Sequence, residues 1–378
     1  MGRTLLVLTG EPSGDLAAGR LVSELRAIDS EVRVVAVGGD ALRSAGAEIL
    51  FDIRELGAMG FLEVLRQIPR LSLLEKRLER FFDQERPDAV VPVDYPGFNL
   101  RCARAAKARG IPVVYYIAPQ VWAWGKGRLR GIREAVDRLL VVLPFEEALF
   151  RDAGIDAEFV GHPLLEGIAT APTREASRAA LGIPENARVV GILPGSRVQE
   201  IRDLLPLQLE AARLVRRENP ELRILVSRQR AIPAAEIGGV RASEGEQVVE
   251  EDAARVITAS DVLFVTSGTA TLESALLGTP LAVVYRTSPI TWFVGKRIVR
   301  LTRIGLVNIV AGEELAPEFL QDEARPELMA RWASDLLRDP VRRDAAGKKL
   351  AALRAQFEGK QASKRAARIV REAMERAR

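Results

Sequence analysis

The sequence predicts an α/β fold of two doubly wound domains, and three observations carry that expectation. Short apolar, β-branched runs alternate with helical patterns along most of the chain. The alternation breaks once, at 161–187, in a stretch of glycine, proline and small polar residues. The length of 378 residues exceeds an ordinary single domain, and a hydrophobic content of 48% is enough for two separate cores.

The first series of strand-like runs is TLLVLT (4–9), VRVVAVGG (32–39), DAVVPVD (88–94), IPVVYYIA (111–118) and DRLLVVLP (137–144). Runs apolar on both faces belong to a buried parallel sheet. Between the first two, Ala17, Leu21, Leu25 and Ile28 fall on one helical face. The expected division is a first domain over 1–165, a linker over 166–186, a second domain over 187–340 and terminal helices over 341–378. The second series is ARVVGILPGSR (187–197), LRILVSR (222–228), an edge-like QVVEE (247–251), DVLFVTSG (261–268) and PLAVVYR (280–286). From about 327 the chain is rich in Ala, Arg, Glu and Lys and reads as helices, which in two-lobed proteins can cross back to the first domain.

Composition narrows the chemistry. One cysteine, Cys102, and one histidine, His162, rule out a disulfide framework and a His/Cys metal cluster, so a reducing cytoplasm fits. The chain runs from Met1 almost directly into TLLVLT, without the pattern of a secretory leader. No stretch reaches the ~20 apolar residues that span a bilayer, so membrane contact is expected to be peripheral. The formal charge of +4 is spread along the chain and no nucleic-acid motif accompanies it, which argues against nucleic acid.

The stretch 260–280 is the most informative. A strand runs through Ser267-Gly268-Thr269 into a helix, whose N-terminal N–H groups and glycine suit a diphosphate. Glu273, one turn in, is placed for ribose hydroxyls or for solvent. A second strand–helix loop, GILPGSRVQEI (191–201), offers Gly195, Ser196 and Arg197; the guanidinium suits a departing diphosphate, or is merely solvated. In VPVDYPGFN (91–99), Asp94 ends a strand where a general base for a hydroxyl would stand, and equally where an Asp caps a turn. The loop TGEPSGDLAAG (9–19), with Gly10, Ser13, Gly14 and Asp15, lacks both the dinucleotide spacing and the P-loop lysine, so no cofactor is called for. Ser13 or Asp15 can also cap the following helix.

Two stretches suggest lipid. Met59, Phe61, Leu62 and Leu65 crowd together in 56–74, as an acyl entry or as core. In 290–303, Trp292, Lys296, Arg300 and Arg303 share one helical side, suited to anionic headgroups or to solvent. His162 stands at the crossing between domains, as a turn residue or facing the cleft.

Together these residues resemble the lipid-A-disaccharide synthase family, inverting glycosyltransferases of GT-B type with two Rossmann-like domains facing a central cleft. The resemblance rests on GEPSGD (10–15), GAMGFLEVL (57–65), DYPGFN (94–99), APQVWAW (118–124), GHPL (161–164), LPGSR (193–197), SGTATLE (267–273), YRTSP (285–289), NIVAG (308–312) and FLQDE (319–323), in order over nearly the whole chain. It implies transfer of a 2,3-diacylglucosamine from UDP to a 2,3-diacylglucosamine 1-phosphate, giving a β(1→6) disaccharide and UDP. Asp94 would be the base and Arg197 would meet the leaving group. Ser196, Ser267, Gly268, Thr269, Glu273, Asn308 and Gln321 would stand on the nucleotide side. The implied partners are these two substrates and an anionic membrane surface, at the cytoplasmic face of the inner membrane, with a homodimer left open. Another GT-B UDP-N-acetylglucosamine transferase or epimerase, or a non-catalytic nucleotide-sugar sensor, are the competing readings.

Overall fold

Each expected strand-like run contains a strand in the computed structural model, which describes residues 2–376 apart from 57–60, 125, 231, 242–244, 289–291 and 293–302; the side chains of 56, 61–69, 124 and 126 are also outside the description. Contacts divide the chain into two units, 1–163 with 359–378 and 164–358.

In the first unit the strands are β1 (Thr4–Leu8), β2 (Arg33–Gly38), β3 (Glu48–Asp52), β4 (Ala89–Pro92), β5 (Val114–Tyr116), β6 (Arg138–Val141) and β7 (Ala157–Phe159). They are parallel, in the order β3-β2-β1-β4 and β5-β6-β7, and the bridges Val90–Val113 and Val93–Tyr116 join the two groups. Leu5 to Leu8 are fully buried, which explains the unbroken apolar run: helices cover both faces. The chain winds outward from β1 to β3, then returns to β4 on the other side of β1. That reversal opens a crevice at the carboxyl ends of β1 and β4, where α/β sheets bind ligands.

The second unit repeats the plan. Its strands are β8 (Val189–Leu193), β9 (Arg223–Arg228), β10 (Glu246–Glu250), β11 (Val262–Thr266), β12 (Leu281–Tyr285) and β13 (Glu318–Leu320), all parallel, in the order β10-β9-β8-β11-β12-β13. Here the reversal falls between β8 and β11.

Three strands were not among the expected runs: β3, β7 and β13. All three lie at sheet edges, and β3 and β13 are half-buried or exposed throughout. An edge strand is short and wet on one side, so it leaves no continuous apolar signature. The edge-like run at 247–251 lies in β10, the other edge of the second sheet.

Residues 164–186 form helices Leu164–Ile168 and Arg174–Ala180 and group with the second unit. The reason is Arg178, 2% exposed, which donates to Ala259 O at 3.0 Å and to the Asp261 carboxylate at 3.1 Å. Asp261 also accepts the Val189 N–H at 2.8 Å, which ties this stretch to the starts of β8 and β11. The terminal helices are Pro326–Arg338, Pro340–Ala351 and Ala362–Arg376; the last groups with the first unit and packs on helix Pro12–Ile28.

Candidate functional site

In the first unit, Leu8 pairs with Pro92, so the loops that continue β1 and β4 leave the sheet side by side. The β4 loop is strained. Asp94 and Tyr95 both have φ of +49°, a left-handed conformation costing roughly 1–2 kcal/mol for a residue with a Cβ. Ile117, just beyond β5, has φ of +63°. Strain of this kind persists only where the surroundings enforce it.

Those surroundings are specific. The Asp94 N–H donates to Tyr116 O at 3.0 Å, and the Asp94 carbonyl accepts from the Tyr115 hydroxyl at 2.6 Å and from Asn99 Nδ2 at 2.8 Å. Tyr115 and Asn99 are fully buried, and burial pushes the Tyr115 hydroxyl well above its ordinary pKa, so it stays a donor. Tyr95 then begins helix Pro96–Lys107, with Pro96 at a position where a missing N–H costs nothing. Asp94 itself is half-buried at this turn.

The β1 loop fits against the same turn. A Cβ on Gly10 would stand 2.3 Å from the Tyr95 ring, so only glycine allows the approach. Gly14 is buried near the Val93 carbonyl and Ser13 is exposed. Neither Ser13 nor Asp15 caps helix Pro12–Ile28, whose N-cap is Glu11. Asp15 instead accepts from Gly39 N at 2.6 Å and Ala41 N at 2.9 Å, closing the N-terminus of helix Asp40–Ser44 beyond β2. Its carboxylate is thus part of the scaffold. Of the four loop residues, Gly10 and Ser13 lie nearest a ligand-accessible surface.

In the second unit Leu193 pairs with Val265, so the loops after β8 and β11 also emerge together. They differ in how their helix N-termini are satisfied. At helix Val198–Glu218 the Glu200 carboxylate folds back to accept from Ser196 N at 3.1 Å and Arg197 N at 3.3 Å. Gly195, at φ +112°, makes room for it: a Cβ there would meet Glu200 Oε2 at 2.6 Å. Arg197 is half exposed, 3.7 Å from the same carboxylate. Helix Thr269–Leu276 has no side-chain cap at Gly268. Gly268 and Thr269 are exposed, and among the described residues a Cβ on Gly268 would meet nothing within 4 Å. An uncapped, open helix start is the better seat for an anion. Ser267 is held by its hydroxyl on Ile304 O at 2.9 Å, and Glu273 is half-buried one turn in.

Asn308 and Gln321 carry structural duties. Asn308 is fully buried; it donates to Ala316 O and Glu318 Oε1 and accepts from Leu315 N and Ala316 N. An amide offers two donors and two acceptor pairs, so none remains for a nucleotide. The Gln321 amide closes a reciprocal pair with the Thr287 backbone, at 2.9 and 3.2 Å. Both hold the segments after β12 in place.

His162 is 9% exposed, and burial lowers its pKa to about 4, so the imidazole is neutral. Trp292 is half-buried with its backbone N–H on Ser288 O, and Arg303 donates to Gly312 O at 3.2 Å. Met59, Lys296 and Arg300, with the side chains of Phe61, Leu62 and Leu65, lie outside the described residues. Tyr115 and Glu146 were not singled out from sequence. Asn99 stands in DYPGFN, and its place five residues after the strand-end Asp94 is the one sequence signal for its role.

Among solved structures the chain is similar to UDP-GlcNAc 2-epimerase from Neisseria meningitidis bound to UDP-GlcNAc, with a TM-score of 0.64 at 13% identity over 100% of both chains. It is equally similar to the glycotransferase of kitacinnamycin, with a TM-score of 0.64 at 17% identity over 99% of each. These establish the two-domain glycosyltransferase fold. In sequence the chain is 43% identical over 328 residues to lipid-A-disaccharide synthase of Myxococcus xanthus, covering 86% of each. It is 38% identical over 372 residues to that of Geobacter metallireducens, covering 98% of this chain and 97% of the relative. Residues 5–373 match the family model described as lipid-A-disaccharide synthetase. With both switch-point loops inside that match, the chain belongs to the lipid-A-disaccharide synthetase family.

Proposed function

We infer that this chain transfers a 2,3-diacylglucosamine from UDP to the 6-hydroxyl of a 2,3-diacylglucosamine 1-phosphate, forming the β(1→6) lipid A disaccharide 1-phosphate and releasing UDP. The observation that carries the reading is Asp94, held at the switch point of the first sheet by a strained turn that Tyr115 and Asn99 enforce. Asp94 takes the proton of the acceptor hydroxyl as its oxygen bonds to the anomeric carbon. The bond from that carbon to the diphosphate breaks, and its electrons leave with UDP. One in-line step inverts the centre and needs no covalent intermediate. In the second unit, the open helix start at 267–269 seats the diphosphate, the Arg197 guanidinium adds charge and the Ser196 hydroxyl a donor, and Glu273 meets the ribose. Asn308 and Gln321 support that side from behind.

UDP release, measured with and without an acylated glucosamine 1-phosphate, tests the reading. Release that depends on the acylated acceptor is expected. Release with a soluble sugar acceptor alone would point to another transferase, and UDP-sugar binding without any release to a sensor.

Acylated substrates favour peripheral contact with an anionic lipid surface, and our reading puts that contact at the cytoplasmic face of the inner membrane. Among the described residues no helix is long and apolar enough to cross a membrane. Flotation with anionic liposomes at low salt should carry the protein upward; protein left at the bottom would remove the proposal. A homodimer is the assembly to look for by light scattering, and a monomeric mass would exclude it.

A further inference from the structure

Glu146 is a buried carboxylate to which this reaction scheme gives no task. It is 1% exposed, in the first turn of helix Pro144–Asp152 after β6. Its two oxygens are divided. Oε2 accepts the Leu143 N–H at 3.1 Å and closes the helix start, while Oε1 accepts the Trp122 indole N–H at 2.9 Å. Phe145 meets the same indole edge-on, with ring centroids 5.4 Å apart.

Helix capping does not explain why this residue is ionisable. Glutamine could close the helix start with no charge to desolvate, but its single acceptor oxygen could not also take the indole N–H. Burial raises the Glu146 pKa to about 7, and the charge of Asp94 pushes the same way, so the two carboxylates sense each other. The indole that Glu146 grips belongs to 118–124, which continues from β5, and the Val93–Tyr116 bridge sets β5 beside the strand that delivers Asp94. The two N–H groups aimed at the Glu146 oxygens pull its pKa the other way and favour the carboxylate, the form that can accept from both.

We propose that Glu146 is a positioning residue for the transfer reaction: by gripping Trp122 it fixes the 118–124 segment beside the Asp94 turn and so aligns the acceptor sugar. The proposal rests on the reading that this unit takes the acceptor, with Asp94 as base. Glu146 touches no reacting atom in this account; it acts through the indole.

The test uses the full-length chain with both acylated substrates and the variants Glu146→Gln, Glu146→Ala, Trp122→Phe and the Glu146→Ala/Trp122→Phe double. Glu146→Ala and Trp122→Phe should each lower kcat/KM for the acceptor about 10-fold or more, because small misplacements are costly in an aligned reaction. Affinity for UDP should stay unchanged. The double variant should lose no more than either single one, within about 2-fold, because both remove the same bond. Glu146→Gln keeps one acceptor oxygen for the two N–H groups, so its acceptor kinetics should fall between those of Glu146→Ala and the parent. The Trp122 indole N–H resonance, assigned by its absence in Trp122→Phe, should shift in Glu146→Ala.

Normal acceptor kinetics in folded Glu146→Ala would overturn the proposal, as would losses that multiply in the double variant. If Glu146→Ala does not fold, Trp122→Phe decides: normal acceptor kinetics there overturns it too. Asp94→Asn, run alongside, keeps the two ideas apart, since normal turnover in that variant defeats the base assignment whatever Glu146 does.

Discussion

The hydroxyl of Tyr115 donates to the backbone carbonyl of Asp94 at 2.6 Å, across the junction of β5 and β4. A buried phenol thus holds the turn that presents the proposed base. Tyr115→Phe removes the donor and leaves the ring in place. Thermal or chemical unfolding should show a loss of about 1 kcal/mol or more, since a buried carbonyl loses a partner. Turnover should fall about 10-fold as the turn relaxes, with UDP affinity unaltered. Unchanged turnover would mean that Asn99 and the Tyr116 carbonyl suffice.

Gly10 tests the fit between the first two loops. Gly10→Ala drives a methyl into the Tyr95 ring, and overpacking of this sort costs about 1–3 kcal/mol. Adding Tyr95→Ala should recover stability, though not the full rate, because the ring also frames the Asp94 turn. A Gly10→Ala protein as stable and active as the parent would show that the loop moves aside freely.

Arg197 stands half exposed at the start of helix Val198–Glu218, with Glu200 as its neighbour. If it offsets charge on the departing diphosphate, Arg197→Ala should lose about 10²-fold in kcat or more. The loss should exceed any change in donor KM. A rate near normal would reassign this loop to shaping the helix start.

His162 makes stability depend on pH. Its folded pKa of about 4 lies below the ordinary 6.5, so between these values the unfolded chain binds more protons than the folded one. Stability therefore rises with pH through this window, and acidification from 6.5 toward 4 removes about 3 kcal/mol. Below about 4 both states are protonated and this contribution is flat. Denaturant midpoints measured across the window should show the slope, and His162→Gln should lose it. An identical slope in that variant would assign the effect to other groups.

Much of the architecture was legible because buried parallel strands announce themselves: Leu5 to Leu8 and Val262 to Val265 have no polar residue to interrupt them. The half-wet edges β3, β7 and β13 lack that pattern. The site divides the same way. Asp94, Gly195, Ser267 and Gly268 stand at strand ends that sequence alone can locate, and the switch point of the second sheet brings the loops of the last three together. What stayed hidden depends on partners distant in the chain. Asp15 caps a helix 25 residues on, Asn308 is consumed by Glu318 and its neighbours, and Glu146 accepts from the indole of Trp122, 24 residues earlier. No local periodicity encodes these pairings.

The central claim is that Asp94 removes the acceptor proton. Asp94→Asn keeps the size of the side chain and removes its basicity, so transfer of diacylglucosamine from UDP, followed as acceptor-dependent UDP release, should fall by about 10²–10⁴-fold. The affinity for the UDP-sugar, measured by calorimetry on the same preparation, should stay within about 2-fold of the parent. Turnover equal to the parent would contradict the account and return Asp94 to the role of a turn residue.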